Sequence, residues 1–136
     1  MDTELLAQEL ERDEDLRLRP YRCTAEKLSI GVGRNLDDVG ITEDEARYLL
    51  ANDIRRTLAD CETIPTFHRL SGVRQRVIAN MVFNLGLGRF LGFRKMLAAL
   101  EVCDWAEAAA QMLDSKWARQ VGARAERLAE MMREGR

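Results

Sequence analysis

The sequence predicts an α+β, mostly helical chain with a small β lobe, a long connecting helix and a helical lobe. Three observations carry that prediction. Leu28, Ile30 and Val32 alternate with Ser29, Gly31 and Gly33, the period-2 pattern of a strand. Thr42 and Glu45 have the spacing of a capping box, in which each side chain satisfies the other's orphan backbone N–H, and a long charged stretch follows them. Residues 73–86, VRQRVIANMVFNLG, are apolar nearly all round, as a helix without a solvent face must be.

The elements follow in order. Residues 3–13 carry Leu5, Leu6 and Leu10 and form a short amphipathic helix. Leu16, Leu18 and Tyr21 begin a β-hairpin or meander, with Cys-Thr-Ala-Glu-Lys as the turn into the second strand. Gly31 and Gly33 end the strand region, 35–40 reads as loop, and the capping box opens a helix over about 43–63. Ala46, Leu49, Leu50, Ile54 and Leu58 are a thin apolar set for so long a helix, which suits a strut between lobes. Pro65 stops it. After the all-round apolar helix, 93–102 and 104–113 read as helices, the second capped by Asp104 with Glu107 at its third position. A short turn at 116–120 and a helix from Ala123 complete the chain. The reading is a single domain over 1–136, with a small lobe at about 14–42 and a helical lobe at about 67–136 that includes the N-terminal helix. A cleft between lobes is the expected ligand site.

At 136 residues the chain is long enough to bury a core without staples. No apolar run approaches the roughly 20 residues that span a bilayer. The opening MDTELLAQELERDED is acidic rather than basic-then-apolar, so it does not read as a signal peptide, and the chain is expected to accumulate in the cytoplasm. Cys23, Cys61 and Cys103 are odd in number and widely spaced, which fits reduced thiols rather than a disulfide framework or a zinc site. The net charge of −2 conceals an asymmetry. Up to Thr66 there are nine basic and sixteen acidic residues, and beyond it twelve basic and seven acidic. The second half could attract an anionic polymer, although a basic solvated helix surface explains the same count.

The chemistry concentrates in EDLRLRPYRCTAEKLSIGVG, residues 14–33. Glu14 stands where the first helix meets the hairpin, Cys23 follows nine residues on, and Ser29 six after that. A hairpin brings its end back near its start, so these groups are expected to converge. A carboxyl group beside Leu and Tyr walls has its charged form disfavoured and can hold a proton for a leaving oxygen, as glycoside hydrolysis needs. The G-V-G of 31–33 is no dinucleotide loop, since Leu36 stands where a third glycine is required. His68, the single histidine, supports no His-based triad.

This corner resembles that of the phage-type lysozymes, the endolysin glycosidases of tailed phages. In that family a Glu is followed nine residues later by Asp or sometimes Cys, then six later by Thr, ahead of an I-G-x-G strand end. The likeness continues in N-M-V-F-N-L-G (80–86), Gly92-Phe93, W-x-E-A-A (105–109), Ser115-Lys116-Trp117 and G-A-R-A-x-R (122–127), in family order. The resemblance implies a lysozyme-like two-lobe fold and hydrolysis of the β-1,4 bond between N-acetylmuramic acid and N-acetylglucosamine. It implies Glu14 as general acid and Cys23 and Ser29 as the second catalytic and hydroxyl positions. Asn35, Phe83 and Gln111 fall at saccharide-binding positions. Arg124 matches an arginine that supports the acidic end of the first helix, with Asp13 as its partner. It implies no metal or cofactor, peptidoglycan as the polymeric partner, no nucleic acid, no stable membrane association and a monomer. Access to the wall from the host cytoplasm would follow membrane disruption by another protein.

Two departures stand out. Cys23 replaces the commoner carboxylate, and a thiol with an ordinary pKa of about 8.5 is mostly neutral and a poor acceptor. It could place water weakly or, if ionised, stabilise or attack a cationic centre. Ser29 keeps the hydroxyl and loses the methyl that restricts threonine. The alternative is a non-catalytic peptidoglycan-binding or virion structural module with a decayed site. A helical nucleic-acid binder using the basic half lacks any recognisable reading element. Trp105 and Trp117 read as packing anchors.

Overall fold

The computed structural model describes residues Met1–Arg136 and divides into two compact units, Met1–Leu49 and Leu50–Arg136. The first unit opens with α1 (Thr3–Glu14), whose start is capped by Asp2 accepting from the Leu5 N–H at 2.9 Å. No residue of α1 is buried. Three strands follow, β1 (Leu16–Arg22), β2 (Leu28–Val32) and β3 (Arg34–Asn35), in an antiparallel sheet of order β1-β2-β3. Leu16 pairs with Val32 at one end and Arg22 with Leu28 at the other. Between Arg17 and Tyr21 the register slips, and Pro20 lies in that slip on an edge strand, where a missing N–H is tolerated.

The sequence reading places Asn35 in a loop; it lies instead in β3, paired with Ser29, because the chain reverses at Gly33 and Arg34 pairs back onto Ile30. That reading also groups the first helix with the helical lobe. Within the Met1–Leu49 unit it contacts β2 and runs through Asp15 directly into β1.

The long helix α2 (Glu43–Glu62) begins as the spacing predicts. The Thr42 N–H donates to Glu45 Oε1 at 2.9 Å, and the Glu45 N–H donates to Thr42 Oγ1 at 3.1 Å. The boundary between units falls within it, between Leu49 and Leu50. Only Thr57 and Cys61 of this helix are buried, in keeping with its thin apolar set.

The second unit holds the core. A 3-10 turn at Phe67–Arg69 precedes α3 (Gly72–Leu85), capped by Ser71, and α3 buries Val77, Ile78, Met81 and Val82. Then come α4 (Leu87–Phe90), α5 (Arg94–Glu101), α6 (Trp105–Leu113), α7 (Lys116–Val121) and α8 (Ala123–Glu134). Helix α6 packs most extensively on α8, and both buried faces carry small residues, Ala108 and Ala109 on one, Ala125 and Ala129 on the other. Asp104 caps α6 by accepting from the Glu107 N–H at 3.0 Å. The turn expected at 116–120 is a helix started by Ser115, and α4 has no counterpart among the expected elements. Arg74 ties the unit's end to its start: Nε donates to the Met132 carbonyl at 2.7 Å, and the guanidinium lies 4.1 Å from the Trp105 ring centroid. No helix is long and apolar enough to cross a membrane.

Candidate active site

Glu14 is the last residue of α1, and the residue after it carries strain. Asp15 has φ 66° and ψ 150°, a region that side-chain-bearing residues rarely adopt, while its N–H closes the helix on the Glu11 carbonyl at 2.9 Å. That corner directs the chain into β1 and leaves the Glu14 side chain against Gly33. A methyl group at residue 33 would stand 3.0 Å from Glu14 Oε2, 3.2 Å from Cδ and 3.3 Å from Cγ. Gly33 also has φ 64°, so the position requires glycine twice over, for its backbone and for the carboxylate seated on it. Glu14 itself is exposed, and the Leu and Tyr walls expected from the sequence do not enclose it. Neither the Gly33 seat nor the strained Asp15 is apparent in the spacing of the motif.

Cys23 and Ser29 come together at the other end of the hairpin. The turn is built on Cys23: its N–H donates to the Lys27 carbonyl at 2.9 Å, and the Glu26 N–H donates to the Cys23 carbonyl at 2.8 Å. Glu26 takes φ 62°, the left-handed residue that closes a three-residue hairpin loop. This wrap aims backbone N–H groups at the Cys23 sulfur. Donation from Lys27, then from Ala25, lowers the Cys23 pKa below its ordinary value, with a smaller contribution from the Ser29 hydroxyl. Ser29 is only 3% exposed, on the central strand between Tyr21 and Asn35. Its hydroxyl lies 3.3 Å from the Lys27 carbonyl. One O–H proton can serve either that carbonyl or the Cys23 thiolate, so Ser29 is a donor that can change partners.

The expected convergence of all three groups is therefore corrected in its detail. A hairpin brings its two ends together, and the end beside Glu14 is Gly33. Cys23 opens the turn and so lies at the opposite end, with Ser29 beside it.

Asn35 has its amide committed locally. Its Nδ2 donates to Asp38 Oδ2 at 2.9 Å, and its Oδ1 accepts from the Asp38 N–H at 3.0 Å, which holds the loop after β3. Next to it Arg34 donates to Glu45 Oε1 at 2.9 Å and to the Gly40 carbonyl at 3.1 Å, fastening the sheet to the start of α2. The Arg34 hydrogen bond, followed by the Thr42 N–H, pulls the Glu45 pKa down to about 2.

The remaining expected residues belong to the second unit. Phe83 is 46% exposed on α3. Gln111 donates from Nε2 to Glu107 Oε1 at 2.6 Å and lines a cavity of about 810 Å³ that Trp117 and Phe93 also border. Arg124 donates from Nε and a terminal nitrogen to Asn80 Oδ1 at 2.9 and 2.7 Å, while Asp13 is paired with its neighbour Arg12 at 3.0 Å. Trp117 is buried and donates from Nε1 to Asn84 Oδ1 at 2.8 Å, as a packing anchor does. Cys61 is fully buried, and that burial pushes its pKa up to about 11.

Residues 11–134 match the phage lysozyme family. Among individual proteins, the chain is 32% identical over 99 residues to the probable T4-type lysozyme 1 of Dictyostelium discoideum, covering 70% of this chain and 58% of that protein. It is 28% identical over 152 residues to the pre-baseplate central spike protein of Enterobacteria phage T4, covering 90% of this chain and 26% of the other. It is 32% identical over 117 residues to the endolysin of Acyrthosiphon pisum secondary endosymbiont phage 1, covering 81% and 75%. The chain thus spans little more than half of the first of these relatives and about a quarter of the second.

Proposed function

From the premise that this chain belongs to the phage lysozyme family, we propose that it is an endolysin-type muramidase. Its substrate is bacterial peptidoglycan, and the bond cleaved is the β-1,4 link between N-acetylmuramic acid and N-acetylglucosamine. The observation that carries the reading is one hairpin bearing a carboxylate seated on Gly33 at its base and a Cys23–Ser29 pair at its turn.

The chemistry divides between the two ends. Glu14 donates its proton to the glycosidic oxygen as the C–O bond breaks and an oxocarbenium-like centre forms. Cys23, made a better acceptor by the Lys27 and Ala25 N–H groups, holds a water with Ser29 and takes its proton as the oxygen adds to the sugar carbon. Proton transfer back to Glu14 through solvent restores the starting state. A water held at Cys23 gives the inverted anomer, whereas direct attack by its sulfur on the sugar carbon, followed by hydrolysis, gives the retained one. Phe83, Gln111 and Asn35 are assigned to the saccharide and Arg124 to support. The enzyme acts on the wall after another protein has breached the host membrane.

The test is digestion of purified sacculi, with muropeptides read by mass spectrometry, for the wild type, Glu14→Gln and Cys23→Asp. Turnover by the wild type and Cys23→Asp with none by Glu14→Gln is expected. Equal turnover by Glu14→Gln removes the proposed acid.

A second reading is favoured by the similarity to a phage spike protein and by the thiol at the second catalytic position. In it the chain is a peptidoglycan-binding module of a virion component with a decayed site. Sacculus binding without turnover, unrestored by Cys23→Asp, selects that reading.

A further inference from the structure

Helix α2 buries only Thr57 and Cys61, and one of its faces is open to solvent along most of its length. Residues 44, 48, 51, 55 and 58 have the four-and-three spacing that lines side chains along one stripe of a helix. They are Asp44, Tyr48, Ala51, Arg55 and Leu58. All five are exposed, Tyr48 by 69% and Leu58 by 41%. Because α2 is a single continuous helix, its own periodicity fixes this stripe. A lone exposed tyrosine or leucine is ordinary. What distinguishes this stripe is the order of its charges.

Asp44 and Arg55 stand at equal distances from the point between Leu49 and Leu50, on opposite sides of it, and so do Tyr48 and Ala51. Laid antiparallel on a copy of itself with a two-fold axis at that point, the stripe sets Asp44 opposite the second copy's Arg55. Tyr48 then lies over the second copy's Ala51, a large ring against a small side chain. Each pairing occurs twice, as an isologous contact requires. The same register brings Leu58 opposite Ile41, which is 48% exposed just before the Thr42 cap. A parallel arrangement would instead set Asp44 on Asp44 and Arg55 on Arg55, so the charges choose the orientation. Both are free to do so: Asp44 joins no ion pair, and Arg55 donates only to the neighbouring Asn52 side chain.

We propose that this face of α2 is the contact of a two-fold dimer of the chain, with the two helices antiparallel and centred between Leu49 and Leu50. The occupant is a second copy because the face supplies its own complement in sign, size and spacing. The dimer departs from the monomer that the family resemblance implies. It is also weak. Five side chains along roughly 21 Å of helix, at 1.5 Å per residue, cover less than the roughly 1,600 Å² of a standard interface. A dissociation constant between about 10 µM and about 1 mM is expected on that footing. Nothing in this contact depends on the muramidase reading.

Sedimentation equilibrium of the full chain tests it, over concentrations from about 10 µM to about 1 mM. The wild type should pass from monomer to dimer across that range. Asp44→Arg and Arg55→Asp each set like charges against one another at both ends of the contact, and each should weaken association at least about tenfold with unchanged circular dichroism. The double variant Asp44→Arg/Arg55→Asp restores opposite charges in the antiparallel register and should associate as the wild type does. An equal mixture of the two single variants should also associate, since one carries two arginines on the stripe and the other two aspartates; this arm holds even where the double variant fails to fold. A wild type that stays monomeric to about 1 mM overturns the proposal, being weaker than about 4 kcal/mol of association. So does a dimer indifferent to both single reversals, or one that neither the double variant nor the mixture restores. Glu14→Gln should associate as the wild type does, so failed sacculus digestion beside an intact dimer rejects the muramidase and leaves the contact standing.

Discussion

Replacing Gly33 by alanine tests how the proposed acid is held. The new methyl would lie 3.0 Å from Glu14 Oε2 and 3.2 Å from Cδ, closer than carbon and oxygen atoms settle without one of them moving. Glu14 is exposed, so its side chain gives way at little steric cost. The stability loss is then mostly backbone: about 1–2 kcal/mol for a side chain at φ 64°, offset by roughly 0.4–1 kcal/mol from a stiffer unfolded chain. A net loss of about 1 kcal/mol, or roughly 3–5 °C in Tm at this chain length, is expected. Turnover should fall much further, because a displacement of about 1 Å at a reacting group can cost on the order of 100-fold. Gly31→Ala is the matched control: Gly31 has φ 70°, yet a methyl there meets nothing within 4 Å. It should lose the same stability and keep its turnover. Sacculus digestion beside thermal unfolding of both variants decides the matter. Equal turnover by Gly33→Ala and Gly31→Ala, whether both normal or both impaired, refutes the idea that the bare face of Gly33 positions Glu14.

Three further outcomes follow from the geometry. Because N–H donation from Lys27 and Ala25 stabilises the Cys23 thiolate, iodoacetamide should modify Cys23 with a pH midpoint below that of an ordinary thiol, while Cys61, buried and raised to about 11, reacts only on unfolding; peptide mass spectrometry across pH reads both. The Glu45 pKa is depressed from 4.5 to about 2, so its pairing with Arg34 contributes stability above pH 4.5 and loses it as pH falls toward 2. Arg34→Met should return the Glu45 carboxyl resonance toward an ordinary titration and raise the pH of acid unfolding. Arg74→Ala removes a charged donor from the last carbonyls of α8 and a cation from the Trp105 face, and should cost about 2–3 kcal/mol in denaturant unfolding.

Local grammar was legible where a few neighbouring residues suffice to satisfy one another. The Thr42–Glu45 capping box, the Asp104 cap, the strand of Leu28, Ile30 and Val32, and the helix α3 all stand where the spacing places them, although α3, expected without a solvent face, exposes Arg76, Asn80, Phe83 and Asn84. The nine-and-six spacing put Cys23 and Ser29 on one hairpin and Glu14 at the helix end that leads into it for the same reason. What the spacing misjudged was which end of the hairpin each group occupies, because that depends on where the turn residues close, here at Cys23 itself. It also missed β3, a strand of two residues that exists only because Gly33 reverses the chain onto β2.

The sequence by itself determined the order of the longer elements, the capped starts of α2 and α6 and the chemical types available at one corner, since hydrogen bonds across three or four residues leave little choice of partner. Tertiary structure alone decided that Glu14 rests on Gly33, that Arg124 grips Asn80 forty-four positions away, and that Arg74 closes on Met132 across fifty-eight. An arginine or a glycine is compatible with many distant partners. In the second unit the selection among them is made by packing the apolar faces of α3, α5, α6 and α8, which buries the core and carries the polar groups to wherever that burial leaves them, while in the first unit the turn at Gly33 sets its seat for Glu14.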